Sequence, residues 1–284
     1  AGALYTFLTS LFLLTPSKII YTFRGYNQKP QLIMRFFQFA LEWLFSFFVD
    51  KYIAVSESER QKVLKSGWFY EKKIITIHNG VEIKKEVLNE DQKKMLAEYD
   101  INIVSISRIS PQKDLETLIK AFSKLASYKR KKIGLHIIGG FISEDITYKN
   151  KVLKLTDSLD GRNSIHFWGE LPFAGNYIWN FDIFISTSLW EGLQTSLIES
   201  LMQEIPTIAT NVVGNKDIIS NKTGYLTEAK NIDDIYKNLS LCINELKSYD
   251  SNNRIVSGLQ FAKDNFSLEK YNVNINNLYN SILK

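Results

Sequence analysis

Glu191 and Glu199 stand eight positions apart in the run STSLWEGLQTSLIESLMQEIPTIAT, Ser186 to Thr210. Just before it, FDIFIS (Phe181 to Ser186) reads as a short buried strand, and Gly192 falls where the chain must turn from strand into helix. A strand, a glycine turn and a helix N-terminus make an anion site. The free N–H groups at Leu193, Gln194 and Thr195 add to the helix dipole in favouring a phosphate, and Gly192 lets the backbone come close. Eight helical residues rise roughly 12 Å, so two carboxylates at that spacing could accept hydroxyl hydrogen bonds from both ends of one phosphate-bearing ligand. The competing reading, a solvated cap and a surface helix residue, is the ordinary fate of an arbitrary Glu pair.

A second segment tips the balance. INIVSIS (Ile101 to Ser107) is a β-branched run that fits a buried parallel strand, and Arg108, Pro111, Lys113 and an amphipathic helix over Leu115 to Leu125 follow it. Arg108 and Lys113 therefore occupy the loop at the carboxyl end of a strand, where open α/β sheets bind ligands. A guanidinium offers phosphate a two-pronged fork and an ammonium a point charge. On this loop alone, ordinary exposed cations would be an even bet; together with the helix start after Glu191, the two segments specify a diphosphate clamp.

SRISPQKDLETLIKAF, LHIIGG, IHFWGELP, SLWEGLQTSLIESLMQEIPTIATNVVGNKDIISNKTGYL and IAVSESERQKVLKSG with IHNGVEI, in that spacing and order, resemble the retaining glycosyltransferases of family 4 over nearly the whole chain. The resemblance implies an α/β fold of the GT-B type: two Rossmann-like domains with parallel sheets facing across a cleft, the C-terminal one holding a nucleotide sugar. By the same carry-over, Arg108 and Lys113 contact the donor diphosphate, Glu199 the ribose hydroxyls and Glu191 the transferred sugar. Backbone groups from Gly192 through Leu193, Gln194 and Thr195 hold phosphate and sugar, and the loop at Gly169 to Leu171 flanks the base. The implied reaction moves a hexosyl group from a nucleoside diphosphate sugar, taken as UDP-linked, to a glycan or lipid-linked acceptor of bacterial surface polysaccharide synthesis, with retention. Two cations and a helix end already face the diphosphate, so neither a cofactor nor a divalent metal is called for.

Composition accords with an enzyme of this kind. The 284 residues suffice for two domains, and 45% hydrophobic with 23% charged residues is ordinary globular usage. The lone Cys242 cannot form an internal disulfide, which excludes a disulfide-stapled secreted scaffold and fits a cytoplasmic setting. It falls in the helical pattern Ile235 to Leu246 and reads as a small buried apolar group. His78, His136 and His166 lie in or beside apolar strand-like runs without ligand spacing, so they read as structural and no zinc site is expected. A net charge of +5 and a run KRKK at Lys129 to Lys132 read first as a solvated helix end. The functional reading is peripheral contact with the anionic inner face of a membrane. Nucleic acid is not expected, because no basic motif interleaved with aromatics is present.

These elements imply an order for the chain. Strand and helix alternate from Ile101 onward, with strands near 101–107, 133–138, 164–168, 182–186 and 206–209, a pattern that gives a parallel sheet covered on both faces. Lys73 to Ile77 reads as a strand ended by an Asn79-Gly80 turn, and the domain hinge is placed there. The division is 1–79 for the remnant of an acceptor-side domain, 80–265 for the nucleotide-sugar domain, and 266–284 for a helix returning to the first domain. On the resemblance, the chain lacks roughly the first half of its N-terminal domain. A helix over Ala3 to Leu14 and a strand over Lys18 to Phe23 open it. Leu32 to Val49 approaches a bilayer span in length, but Arg35, Gln38, Glu42 and Ser46 form a polar stripe. A packed amphipathic helix is the preferred reading over one lying in a membrane interface.

YTFRGYN (Tyr21 to Asn27) resembles the family segment that ends in a His-Gly pair near the reacting sugar, with Arg24 where histidine often stands. Arginine does not deprotonate in proteins, which argues against acid–base chemistry there. Donor phosphate, an anionic acceptor and plain solvent remain as its partners. Two rival functions also remain: a nucleotide-sugar 2-epimerase or hydrolase of the same fold, and a noncatalytic donor-binding partner subunit.

Overall fold

The computed structural model describes residues 18–26, 40, 42–44, 46–125, 131–141, 146–159, 164–246 and 248–283. The helix expected over 3–14, most of the apolar stretch 32–49 and half of the KRKK run lie outside those residues. Among the described residues no helix is long and apolar enough to cross a membrane.

Two parallel sheets organise the chain. The first holds β1 (Ile20–Phe23), β2 (Lys51–Ala54) and β3 (Ile74–Thr76) in that order, with α1 (Glu57–Lys65) crossing between β2 and β3. The second begins, after α2 (Glu90–Ala97), with β4 (Ile101–Ile106), α3 (Leu115–Ser123), β5 (Ile133–Ile138), α4 (Ile146–Ser158) and β6 (Ile165–Gly169). It continues with β7 (Ile183–Ser186), α5 (Thr195–Met202), β8 (Thr207–Thr210), α6 (Asn215–Ile218), β9 (Tyr225–Thr227) and α7 (Ile232–Glu245). Spatial order is β6-β5-β4-β7-β8-β9, all parallel. The order reverses between β4 and β7, and open α/β sheets bind ligands beyond the strand ends at such a switch point.

The five strands expected in this sheet fall within a residue of their observed limits. β9 has no counterpart in the sequence reading, because three residues after Gly224 are too few for a period to register. Central strands are apolar on both faces, as a sheet sandwiched by helices requires. Ile103, Ile137 and Ile185 pack under α3 and α7, while Val104, Ile138 and Phe184 pack under α5 and α8 (Tyr249–Phe266). Cys242 is fully buried on α7 in the first of these layers, and burial pushes its thiol up to about 12, so it is an inert core group.

The Asn79-Gly80 pair is not a turn. Beyond β3 the chain runs on without one, and the Val81 N–H bonds the Phe266 carbonyl at 2.8 Å where α8 gives way to α9 (Leu268–Leu283). A Cβ on Gly80 would stand 2.6 Å from that of Tyr271 and 2.8 Å from the Leu268 Cα, so glycine is required there by close packing. From this crossing α9 lays Tyr271, Ile275, Leu278 and Ile282 on Ile20, Ile53, Ile75 and Ile77 of the first sheet. One apolar face thus ties the end of the chain to its beginning.

Two of the three histidines stack. Buried His136 and half-buried His166, on neighbouring strands, have ring centres 5.2 Å apart and nearly parallel planes. The Trp168 indole N–H donates to His136 Nδ1 at 3.2 Å, and His136 Nε2 donates to Asn102 Oδ1 at 3.0 Å, which defines a neutral ring with both nitrogens used. The Tyr99 hydroxyl meets His166 Nε2 at 2.7 Å. His78 bonds the Val55 carbonyl at 3.0 Å and packs on Phe266. Burial pushes His136 down to about 3 and His166 below its ordinary value. Since the unfolded chain takes up protons near pH 6.5 that the folded chain refuses, stability falls as pH drops from about 6.5 toward 3, by at most about 1.4 kcal/mol per pH unit for His136. Melting curves at stepped pH should show this acid-side slope, and His136→Leu should flatten part of it.

Candidate functional site

The loops that leave β4 and β7 are sewn together before any side chain reaches the crevice. The Leu189 N–H donates to the Gln112 carbonyl at 2.8 Å, the Gln112 amide to the Trp190 carbonyl at 2.7 Å, and the Thr187 hydroxyl to the Lys113 carbonyl at 2.9 Å. At the outer end of β5, Gly139 adopts φ +149, and a Cβ there would collide with the Ser107 carbonyl oxygen. These contacts hold Arg108, Lys113 and Glu191 at one end of a cavity of about 590 Å³.

Lys113 and Glu191 form an ion pair at 2.6 Å, each side chain only 12% exposed. Arg108 is exposed at the cavity edge and has no carboxylate partner among the described residues. Glu199 lines the same cavity with no hydrogen-bond partner among the described residues, and burial raises its carboxyl above the ordinary range. Gly175 makes its room: a Cβ there would run into the Glu199 carboxylate, and Gln203 fixes the position by donating to the Gly175 carbonyl at 2.6 Å.

Helix α5 starts at Thr195, later than the sequence reading had it, with Gln194 as N-cap. The Gln194 side chain gives its neighbours no cap, because Ser186 Oγ donates to its Oε1 at 2.7 Å and its Nε2 donates to Ser196 Oγ at 3.0 Å. The uncapped first turn therefore belongs to Thr195 and Ser196, both lining the cavity, and Leu193 precedes it as a buried wall. Only Thr195 to Glu199 is helical between the two glutamates, so the ~12 Å rise does not describe the pair. What the fold supplies instead is one cavity that both carboxylates line.

Four expected residues do not line it. Gly192 lies beneath its floor with its backbone against Gly25, and Arg24 is exposed beside that contact. Gly169 ends β6 at φ +72, and Leu171 packs half-buried against the second core layer. In their place come Glu82, Lys84, Phe173, Gly175 and Asn176. The linker around Glu86 folds onto the 3₁₀ segment Ala174–Asn180. There the Asn176 carboxamide takes the Lys84 N–H at 3.2 Å and the Tyr177 hydroxyl bonds Glu86 at 2.6 Å. Lys84 and Asn176 carry no local pattern, because they meet across about ninety positions of the chain. Gly175, a glycine within an otherwise apolar segment, is the one with a sequence signal. Among the described residues no group of three or more His, Cys, Asp or Glu is placed to hold a metal ion.

Residues 87–255, more than half of the chain, match the family described as Glycosyl transferases group 1. The chain belongs to that family. It is 25% identical over 275 residues to the capsular polysaccharide biosynthesis glycosyltransferase CapM of Staphylococcus aureus, covering 93% of this chain and 70% of CapM. To the Escherichia coli UDP-Gal:alpha-D-GlcNAc-diphosphoundecaprenol alpha-1,3-galactosyltransferase it is 24% identical over 226 residues, spanning 74% of this chain and 57% of that enzyme. Anabaena Alr3699/HepE in complex with UDP and glucose superposes with a TM-score of 0.82 at 16% identity, over 99% of this chain and 74% of HepE. The fold is thus α/β with two parallel sheets, of the GT-B type.

For this group 1 chain, the Lys113–Glu191 pair has an energetic signature. Removing one partner of a largely buried pair leaves the other charge uncompensated. Lys113→Ala should cost about 1 to 3 kcal/mol, and the double variant Lys113→Ala/Glu191→Ala should cost less than the single one. Denaturant titration of the four members of that cycle checks it.

Proposed function

We propose that the cavity binds a UDP-linked sugar and that the protein transfers the hexosyl group, with retention, to a glycan or lipid-linked acceptor in bacterial surface polysaccharide synthesis. The observation that carries this reading is the distribution of open groups around one cavity: among the described residues, a guanidinium without a carboxylate partner at Arg108, an uncapped helix N-terminus at Thr195 and Ser196, and a half-buried carboxyl without a hydrogen-bond partner at Glu199. Arg108 and Thr195 are exposed and stand open to a ligand, while the partial burial of Glu199 makes an unmet partner costly there. A diphosphate answers the first two, and a vicinal diol, as in ribose, answers the third.

In this reading Glu199 accepts the ribose hydroxyls, and Arg108, Lys113 and the helix N-terminus take the diphosphate. Lys113 carries three N–H donors, so it can hold Glu191 and a phosphate oxygen together. As the sugar–phosphate bond breaks, negative charge grows on the departing UDP, and these fixed donors stabilise it without reorganising. Glu191, oriented by Lys113, faces the sugar. The acceptor is deprotonated by the donor phosphate on the same face, and the clamp works without a divalent metal. CapM is named for capsular polysaccharide synthesis, the Escherichia coli relative for a diphosphoundecaprenol acceptor, and HepE is seen with UDP and glucose; these names support the donor and acceptor classes proposed here.

Calorimetric titration with UDP, GDP and ADP, each with and without EDTA, tests the donor site. UDP should bind equally well in EDTA. Arg108→Ala and Glu199→Ala should each weaken it about 10- to 100-fold, the loss expected when a charged hydrogen-bond partner is removed. Binding of UDP unchanged in Glu199→Ala would refute the assignment of its ribose to that end of the cavity.

A further inference from the structure

Glu59 is fully buried on α1 and forms no salt bridge among the described residues; Lys62, one turn on, acts on it only through space. Its Oε1 accepts the backbone N–H groups of Gly25 at 2.6 Å and Tyr26 at 2.8 Å, and its Oε2 accepts that of Val55 at 3.1 Å. A buried carboxylate survives only when paired or fully hydrogen-bonded, so these three donors are what make Glu59 tolerable. The helix does not need it as a cap, since Ser56 Oγ already accepts the Glu59 N–H at 3.1 Å. What Glu59 holds is the loop that leaves β1.

That loop touches the donor site. A Cβ on Gly192 would lie 2.5 Å from the Gly25 nitrogen and 3.0 Å from the Arg24 carbonyl carbon, so the two backbones are in contact. Gly192 separates Glu191, the partner of Lys113, from Leu193, a wall of the cavity. On its other side Gly214, at φ +84, packs against the Gly192 carbonyl, and its N–H donates to Ser58 Oγ at 2.8 Å. The Ser58 hydroxyl and N–H in turn both bond Asp217, the N–H at 2.9 Å. Three glycine backbones therefore stack as Gly25, Gly192 and Gly214, and both outer layers are tied to consecutive residues of α1.

We infer that Glu59 is a positioning residue of the transferase site: its carboxylate fixes the Arg24–Gly25 backbone against Gly192 and so sets the wall of the cleft contributed by the first sheet beside Glu191. The inference rests on the reading of the cavity as a UDP-sugar site. It separates two properties that a merely structural residue would change together. The nucleotide groups proposed above all belong to the second sheet and its loops, whereas the Glu59 loop abuts only the sugar end. Glu59→Gln turns an acceptor into a donor facing N–H groups, loosens that wall and leaves the UDP contacts in place.

The test compares wild type, Glu59→Gln, Gly192→Ala and their double variant. It reads UDP affinity by calorimetry, UDP release from UDP-hexoses, melting temperature and amide exchange. In Glu59→Gln the amides of Gly25, Tyr26 and Val55 should exchange faster and UDP should bind within about threefold of wild type. Its kcat should fall about tenfold or more, the scale of a small misplacement at a reacting centre. Gly192→Ala, which presses on the same contact, should lower kcat too, and the double variant should lose less than the product of the two. An unchanged kcat in folded Glu59→Gln would overturn the inference. So would kcat and UDP affinity falling in parallel with the melting temperature, which is the mark of a residue that only supports the fold. A wild-type protein that binds no UDP would instead remove the underlying reading, and the wild-type arm reports that separately.

Discussion

The ion pair between Lys113 and Glu191 is the constraint from which the site is built. Two charges that are each 12% exposed must meet at 2.6 Å, and they come from loops 78 positions apart in the chain. Such a pair is tolerated only where the geometry is held for it, because desolvation otherwise exceeds the attraction. Here the holding is done by backbone: Gln112 and Thr187 stitch the β4 and β7 loops together, and the parallel pairing of β4 with β7 aligns their ends. The cavity is the space left where these loops diverge from the linker around Glu86. Arg108, the start of α5 and Glu199 line that space, and the stitched backbone presets the Lys113–Glu191 pair among them.

The second sheet and the linker before it supply that cavity, and the loop leaving the first sheet abuts the backbone at Gly192, between Glu191 and Leu193. What joins the two sheets is small: a glycine stack at Gly25, Gly192 and Gly214, the Ser58–Asp217 contact, and the apolar face of α9 on Ile53 and Ile77. Glycine matters at this seam because backbone meets backbone, and a single methyl at Gly192 would collide with Gly25. A seam of this kind carries few apolar contacts, so its geometry depends on hydrogen-bonded residues such as Ser58 and Glu59.

Much of this was legible in the residues. The β-branched runs INIVSI and IGLHII became β4 and β5, and Arg108, Lys113, Glu191 and Glu199 do line one cavity. Local patterns sufficed because a buried parallel strand must be apolar on both faces and its ligand-bearing loop must follow it. The misses share a cause. The spacing places the first helical turn at Leu193 to Thr195, but the helix begins at Thr195; Asn79-Gly80 signals a turn, but Gly80 is needed by the packing of α9. Lys84 and Asn176 carry no motif, since their place depends on a linker folding back across about ninety residues.

The amino-acid sequence by itself determined the alternation of strand and helix, the parallel character of the larger sheet, and the chemical kinds of group that line the cavity, because burial and turn chemistry are written into spacing and residue type. Only the tertiary structure decided that Lys113 answers Glu191 while Arg108 and Glu199 are left unanswered, that Gly175 hollows out space for Glu199, and that Glu59 holds the loop against Gly192. Those are relations between residues distant in the chain, and distance in the chain places no limit on which charges, carbonyls and glycines the closed fold brings within reach.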